Sequence, residues 1–367
     1  MFIENIDLVY FRNFIKKSYT FSKDINIFVG PNGKGKTNLL ESLYLLSSTS
    51  SFRITTPGCF INNNSESNYS SIIAKLNNKS LTELRILFEE NKKKYFVHNK
   101  PSSFKKFQSI KAIVFNPESL YSVKGSSESK RQIIDEILCS MSLNNNEIYI
   151  NFKKILKQRN ALFFDCKKEK ITYEKAKLLK PSLDEIFINC AAQLTNLRLE
   201  ILKNIHGFFQ DTFSSIYHTK KAKVDFNYTI SSIKANDWTE GEISLFLKHK
   251  IKEKEAAEWA YGSSLVGPHK HEISFLMNGE DARYYSSQGQ QKTLILSLKI
   301  SQMMYYYEVN KSYPILLLDD VHSELDYTVR QYLMRFLNNL KTQIFLTTTD
   351  IQFLEGFGKK GKIFTIK

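Results

Sequence analysis

Eight consecutive residues, Gly30, Pro31, Asn32, Gly33, Lys34, Gly35, Lys36 and Thr37, fit G-x-x-x-x-G-K-[ST] without a mismatch. Glycines allow a tight turn in which backbone N–H groups converge on an anion, and a following helix adds the positive end of its dipole. Lys36 is then placed to reach β- and γ-phosphates, and Thr37 to offer a hydroxyl to Mg2+. A second group lies far downstream, where the apolar run Pro314-Ile315-Leu316-Leu317-Leu318 ends in Asp319 and Asp320. A carboxylate at the end of a buried strand can hold Mg2+, usually through water, opposite Thr37. A second acid beside it can orient or deprotonate an attacking water. A third group is Ser286-Ser287-Gln288-Gly289-Gln290-Gln291, which opens a helical stretch. Such a turn is a second anion site, or simply a helix cap, since serine is a preferred capping residue. Taken alone, an apolar run ending in Asp-Asp is an ordinary strand end. Together with the phosphate loop it points to hydrolysis of a nucleoside triphosphate. His269-x-His271 offers two metal ligands with no third in view, which is a poor metal site.

The elements that must position these residues follow from periodicity. Asp24-Ile25-Asn26-Ile27-Phe28-Val29 alternates like a half-buried strand, and Leu39, Leu40, Leu43 and Leu46 recur at helical spacing. The pattern predicts strands over 3–11 and 19–29 around a turn at 14–17, then a helix over 38–46. A polar loop over 47–56 holds Arg53. Residues 69–76, 82–89 and 93–98 read as an antiparallel meander, and 111–115 as a further strand ended by Asn116-Pro117. Residues 127–216 are almost free of Gly and Pro and read as several helices, broken near Pro181 and Gly207. A strand over 222–230 and a charged helix over 242–259 follow. The four apolar residues 315–318 suit a strand buried on both faces of a parallel sheet, and 343–347 gives another strand with polar groups at its end.

The chain has 367 residues, room for two or three domain-sized cores. It contains no apolar run of membrane-spanning length, and its acidic first residues do not read as a signal peptide. Four scattered cysteines without a C-x-x-C pair point to a reduced, cytoplasmic compartment. The net charge of +15 points to a polyanionic partner, nucleic acid before membrane. Only 9 of the 52 basic residues are Arg. A planar guanidinium where Lys is the default is therefore informative at Arg12, Arg53, Arg131, Arg159 and Arg283. Arg53, Lys130, Arg131 and Lys157 are the candidate DNA contacts.

The order of these motifs, with a long insertion after the phosphate loop, resembles the ABC-type ATPase heads, and most of all the RecF family of DNA replication and repair proteins. The resemblance spans essentially the whole chain. It rests on Phe11-Arg12-Asn13-Phe14, the phosphate loop, Phe115-Asn116-Pro117-Glu118-Ser119-Leu120 with Val123-Lys124-Gly125, and Lys157-Gln158-Arg159-Asn160-Ala161-Leu162. It also rests on Gly267-Pro268-His269, the stretch 286–299, the stretch 314–326 and the Thr347-Thr348-Thr349-Asp350 end.

The resemblance implies an α/β fold: an ABC-type P-loop ATPase head, with a mixed parallel sheet plus an antiparallel sheet, and an inserted, mainly helical arm domain. It divides the chain into residues 1–117 and 263–367 for the head and 118–262 for the arm. It implies ATP and Mg2+ as cofactors, weak ATP hydrolysis, and an ATP-dependent homodimer. The implied partners are DNA, both duplex and gapped or single-stranded junctions, mediator proteins of the RecR and RecO type, and the RecA recombinase that such proteins help to load. Carried across, residues 30–37 bind ATP, Asp319 holds the metal and Asp320 activates water. Ser287, Gln288, Gly289 and Gln290 act as the signature turn on a nucleotide held by the other subunit.

The sequence departs from the family pattern in three places. Lys270-His271-Glu272 replaces the usual Arg-Asp-Asp, Asn116 replaces Ser where transporter heads carry a metal-contacting Gln, and no His follows the 343–347 strand. That leaves a Thr or Asp350 for the switch position. Two rival readings are a membrane-transporter ATPase and a head that binds ATP without turnover. The charge and the insertion speak against the first, and the second acid at Asp320 against the other.

Overall fold

The computed structural model describes residues 1–53, 57–66, 68–77, 82–90, 92–107, 110–120, 122–217, 222–320, 324–349 and 361–366. The chain divides into two compact units, Met1–Leu120 with Tyr306–Lys367, and Tyr121–Tyr305.

The first unit holds two sheets. A six-stranded antiparallel sheet has the order Phe14–Thr20, Phe2–Phe11, Tyr69–Asn77, Thr82–Glu89, Lys92–Val97, Lys100–Ser102. Its inward rows follow the period-two pattern: Ile3, Ile6 and Leu8 on one strand, Leu84, Ile86 and Phe88 on another, all buried. A five-stranded parallel sheet has the order Gly361–Thr365, Ile25–Val29, Ile344–Thr348, Ile315–Asp319, Ala112–Phe115. Its three central strands are buried at every position, the expected behaviour of continuous apolar runs in a parallel sheet. One core joins both sheets, and Leu39, Leu40 and Leu43 of the helix Lys36–Leu45 pack into it. Buried Gln343 ties the first strand to the parallel layer. It accepts from the Ile3 N–H at 2.8 Å and donates to the carbonyls of Ile3 and Ser22, each at 2.8 Å.

The expected strand over 19–29 is two strands of different sheets. The hairpin turns at Arg12-Asn13, not at 14–17, with Arg12 at φ 54°. Phe14–Thr20 then pairs with Phe2–Phe11, while Ile25–Val29 joins the parallel sheet. The break between them has a local cause: the buried Asn26 side chain accepts from Ser22 N–H at 2.7 Å and donates to its carbonyl at 2.9 Å. A side chain that bonds backbone in this way competes with the ladder.

The second unit contains the helices Ser127–Met141, Leu143–Lys167, Tyr173–Tyr217, Glu240–Glu253 and Glu255–Tyr261. It also contains a four-stranded sheet in the order Ile233–Lys234, Val224–Ile230, Glu272–Met277, Glu280–Asp281. The helix expected over 242–259 is thus two helices that meet at Lys254.

The expected breaks at Pro181 and Gly207 do not occur, because Tyr173–Tyr217 is one helix of 45 residues. Tertiary packing overrides the propensity. The buried stripe of Ala176, Lys180, Phe187, Ala191 and Leu194 straddles Pro181, and Ile205 and Phe209 flank Gly207. Lys180 adds ion pairs to Asp184 at 2.6 Å and Glu255 at 3.2 Å.

The division of the chain also differs from the expected one. The second junction lies between residues 305 and 306, inside the helix Gln288–Asn310, instead of at 262. The stretch 263–305 packs with the helical unit, since Glu272–Met277 pairs with Val224–Ile230 from Glu272 opposite Thr229 to Met277 opposite Val224.

Pro181 is exposed and has no N–H to give to the carbonyl four residues earlier. Pro181→Ala restores that bond, so the second unit should become more stable by about 1–3 kcal/mol. Urea unfolding followed by circular dichroism reads this directly, and an unchanged or lower midpoint would contradict it.

Candidate nucleotide site

The phosphate loop is held from three sides. At the end of the strand Ile25–Val29, Gly30 N–H donates to Thr348 O at 3.3 Å, and a Cβ at Gly30 would lie 2.2 Å from the Ile366 carbonyl oxygen. Gly35 caps the helix Lys36–Leu45 at φ 98°, and a Cβ there would lie 2.5 Å from Asn13 Nδ2. The hairpin turn therefore abuts the loop. Asn13 Nδ2 donates to Lys34 O at 3.3 Å, and Asn38 Nδ2 donates to Asn13 Oδ1 at 2.8 Å. Arg12 forms a two-pronged pair with the buried Glu41, both bonds at 2.8 Å. The Phe11-Arg12-Asn13-Phe14 motif thus clamps the loop to its helix. Lys36 is largely buried and donates from Nζ to Gly30 O at 2.6 Å and Pro31 O at 2.9 Å. Burial pushes its pKa down, while the charges of Asp320 and Asp319 pull it back up.

The strand Ile315–Asp319 brings the carboxylates to the same sheet end, outside the carboxyl ends of parallel strands where ligands bind in such folds. Asp319 Oδ1 accepts from Thr37 Oγ1 at 3.0 Å and from Thr347 Oγ1 at 2.8 Å. Burial raises the Asp319 carboxyl pKa. The hydrogen bonds from Thr347 and Thr37 and the charge of Arg53 oppose that shift, and Glu118 adds to it. Asp320 sits at φ 51°, which turns the chain at the strand end. Its N–H lies 3.0 Å from Thr347 Oγ1 and 3.3 Å from Thr347 O.

Thr347 belongs to the Thr347-Thr348-Thr349-Asp350 end, where the sequence left a Thr or Asp350 for the switch position, and its hydrogen bonds single it out. It donates to the Asp319 carboxylate and accepts from the Asp320 backbone N–H. Asp350, the other candidate there, lies outside the described residues, as does Ser323. The donor set suits Mg2+: one hydroxyl, Thr37, and one carboxylate, Asp319, leave most positions for water and phosphate. Among the described residues no group of three or more His, Cys, Asp or Glu is placed to hold a metal.

The remaining predicted residues scatter. Arg53 Nη1 donates to Asn38 Oδ1 at 2.9 Å, at the edge of the nucleotide helix, and its charge reaches Asp319. Lys130 is 4% exposed, which closes it to a DNA backbone. Burial lowers its pKa, against the charges of Asp281 and Glu272. Arg131 Nη1 donates to His271 O at 2.7 Å. Lys157 is exposed on the helix Leu143–Lys167.

Ser287 and Gln290 cap their helix reciprocally. Ser287 N–H donates to Gln290 Oε1 at 2.7 Å, and Gln290 N–H donates to Ser287 Oγ at 3.3 Å. Gln291, buried behind them, donates to Ala282 O and Ser286 O at 2.9 and 3.0 Å. The turn of Ser287, Gln288, Gly289 and Gln290 belongs to the second unit, and residues 30–37 with Asp319 and Asp320 to the first. Asn116 is no free ligand: its Oδ1 accepts from Ser119 N–H at 3.1 Å and caps the short helix Pro117–Leu120.

Other motif residues are structural. Fully buried Arg159 grips Glu258 through two bonds of 2.8 and 2.7 Å and reaches Asp184 at 2.8 Å. Arg198 grips Asp135 at 2.7 and 2.9 Å and donates to Pro268 O at 2.8 Å. The two histidines hold separate partners, His269 Nε2 with Ser264 O at 3.1 Å and His271 Nδ1 with the Tyr228 hydroxyl at 2.9 Å. Burial pushes the His269 pKa down to about 4 and that of His271 well below its usual value.

The family described as the RecF/RecN/SMC N terminal domain matches residues 2–366. A DNA replication and repair protein RecF from Lactobacillus acidophilus is 30% identical over 356 residues, covering 96% of this chain and 93% of that one. One from Oenococcus oeni is 32% identical, covering 100% and 98%. This chain belongs to the RecF family. Among solved structures it is similar to a recombination mediator protein RecF with ATPrS, with a TM-score of 0.85 and 25% identity, covering 100% of this chain and 96% of that one. An SMC head bound to the C-winged helix domain of ScpA matches at TM-score 0.55 and 13% identity, covering 97% and 92%, which shows the shared head fold. The expected ABC-type head with parallel and antiparallel sheets is therefore the observed one. Among the described residues no helix is long and apolar enough to cross a membrane.

In this RecF-family site Thr347 is the largest of the groups that lower the Asp319 pKa. Thr347→Val should therefore raise that pKa further, so that affinity for Mg2+ with nucleotide falls off at higher pH than in the parent chain. Titrating metal-dependent nucleotide binding against pH in both proteins checks this. Superimposable pH curves would rule out the role.

Proposed function

We propose that this RecF-family chain is a weak ATPase and a DNA-binding protein of recombinational repair and replication. ATP gates its dimerisation, DNA is bound at gaps, and the complex helps to load the RecA recombinase with mediator partners of the RecR and RecO type in the cytoplasm. The observation that carries the reading is the array of Lys36, Thr37, Asp319 and Thr347 at one end of the parallel sheet, with Asp320 next in the chain. Two solved structures of RecF, one with ATP and one with ATPrS, support the choice of nucleotide.

In this reading Lys36 leaves the carbonyls of Gly30 and Pro31 for the β- and γ-phosphates. Thr37 and Asp319 hold Mg2+, which when bound screens the phosphate charge. Asp320 takes the proton of the attacking water. The Ser287 Oγ accepts from Gln290, so its own proton stays available to a phosphate oxygen of the other subunit. Residues 1–117 and 263–367 then carry the motifs of the head and 118–262 the arm, although 263–305 packs with the helical unit.

A mixing experiment tests the shared site. Lys36→Met and Ser287→Arg should each be inactive alone. Mixed, about half the dimers carry one site with both lesions and one with neither, so turnover should return to roughly a quarter of the parent value. A mixture without turnover, together with a mass that stays monomeric in ATP, would leave Ser287 as a helix cap only.

The +15 net charge supports backbone-directed DNA binding. Lys157 and Arg131 stay as contacts, Arg53 is reassigned to the nucleotide edge, and Lys130 is withdrawn because it is buried. With about five phosphates neutralised, log K should fall with log salt at a slope of roughly −4 to −5. A flat response in filter or anisotropy titrations would sink this.

A further inference from the structure

One stretch of the second unit holds much of the chain's charge. Between residues 151 and 180 stand ten basic and three acidic residues, a net +7 of the chain's +15. Arg159 and Lys180 are buried in ion pairs. The other eight are lysines, and all are exposed. Among the described residues only one of those eight has a carboxylate within ion-pair distance, Lys170 with Asp165 at 3.5 Å. The excess surrounds the turn that joins the helices Leu143–Lys167 and Tyr173–Tyr217.

A lysine-rich helix face is by itself an ordinary wetted surface. Here, however, aromatic rings stand uncovered among the lysines. Phe164 and Tyr173 are each 48% exposed, and Tyr261 is 70% exposed. The ammonium groups of Lys168 and Lys170 lie 5.9 and 5.8 Å from the centre of the Phe164 ring, and that of Lys177 lies 5.9 Å from the Tyr173 ring. Packing beneath them draws three segments together. The buried Phe163 ring meets Trp259 at 4.7 Å, and Trp259 meets Tyr173 at 5.2 Å. Lys167 Nζ donates to Tyr261 O at 3.2 Å. Phe163 and Trp259 thus fill the interior, and the outer rings are left to solvent.

This combination selects a class of ligand. Duplex DNA offers phosphates but hides the faces of its bases in the stack. A single strand offers both, bases to lie on aromatic rings and phosphates to meet lysines. We propose that this patch binds single-stranded nucleic acid, with Phe164 and Tyr173 as stacking platforms and Lys168, Lys170 and Lys177 on the backbone phosphates. The proposal deepens the DNA-binding reading above and rests on it. Within that reading the patch takes the single-stranded side of a gap.

Anisotropy titrations of the full chain compare three labelled probes: an oligo-thymidine strand of about 15 nucleotides, an abasic strand of the same length, and a duplex. The thymidine strand should bind more tightly than the abasic one. Phe164→Ala should weaken the thymidine strand roughly tenfold and leave the abasic strand and the duplex within about twofold. Phe164→Trp should keep the affinity, and its added emission should be quenched by the thymidine strand and not by the abasic one. Lys168→Gln with Lys170→Gln should flatten the slope of log K against log salt by about 1.4, at roughly 0.7 per phosphate contact on a single strand. Equal affinity for the two single strands, a loss in Phe164→Ala shared by the duplex, or Phe164→Trp emission unmoved by the thymidine strand would overturn the proposal. So would polyglutamate that binds as tightly and is as sensitive to Phe164→Ala, which would make the partner an acidic polypeptide. A chain that binds none of the nucleic acids removes the DNA-binding reading as well, whereas duplex binding with an indifferent patch removes this proposal alone.

Discussion

The structure of the first unit turns on one buried carboxylate. Asp319 is 6% exposed and accepts from two threonines that come from different elements, the nucleotide helix and the neighbouring strand. Burial alone would push the acid toward its neutral form, and the two hydroxyls oppose that. The same bonds fix the spacing of the three elements they join. A strand register that slipped by one residue would turn Asp319 to the opposite face of the sheet and break both bonds at once. The apolar positions around it are filled on both faces, so the sheet cannot easily slip.

The phosphate loop depends on its neighbours as much as on its own glycines. Arg12 and Asn13 stand on the hairpin turn of a different sheet, yet they hold the loop and the helix behind it. The close approach of Asn13 leaves no room for a side chain at Gly35. Gln343 links the same antiparallel strand to the parallel layer through three bonds to buried backbone. The antiparallel sheet therefore serves as the frame on which the nucleotide end of the parallel sheet is built.

In the second unit two buried arginines do the corresponding work. Arg159 joins two helices and the 258–264 segment, and Arg198 joins Asp135 to the Pro268 carbonyl. Buried ion pairs of this kind add little net stability, because desolvation offsets the attraction. Removing one partner is costly, so they enforce a single arrangement of the helices around them. This explains why arginine occurs at these positions in a chain otherwise built on lysine: a planar fork pairs with both oxygens of one carboxylate in parallel bonds and still has donors left for a further acceptor.

The sequence by itself determined the loop, the paired acids, the parallel-sheet strands and the helical insertion. Each is written in local terms: glycine spacing, an unbroken branched run, or periodicity. What it left open needed contacts between distant residues. The sequence left the switch position to a Thr or Asp350, and only register placed Thr347 against Asp319. Lys130 looked like a basic helix face until burial enclosed it. Pro181 carried a strong breaking signal that a buried stripe on both sides overruled. Asn26 broke a predicted strand through a bond to Ser22 that periodicity does not register. The stretch 263–305 was assigned by its motif to the head, but backbone pairing with Val224–Ile230 drew it into the other unit. Local chemistry is carried by neighbours in the chain, whereas burial and hydrogen-bond partnership are carried by neighbours in space, and only folding sets the second.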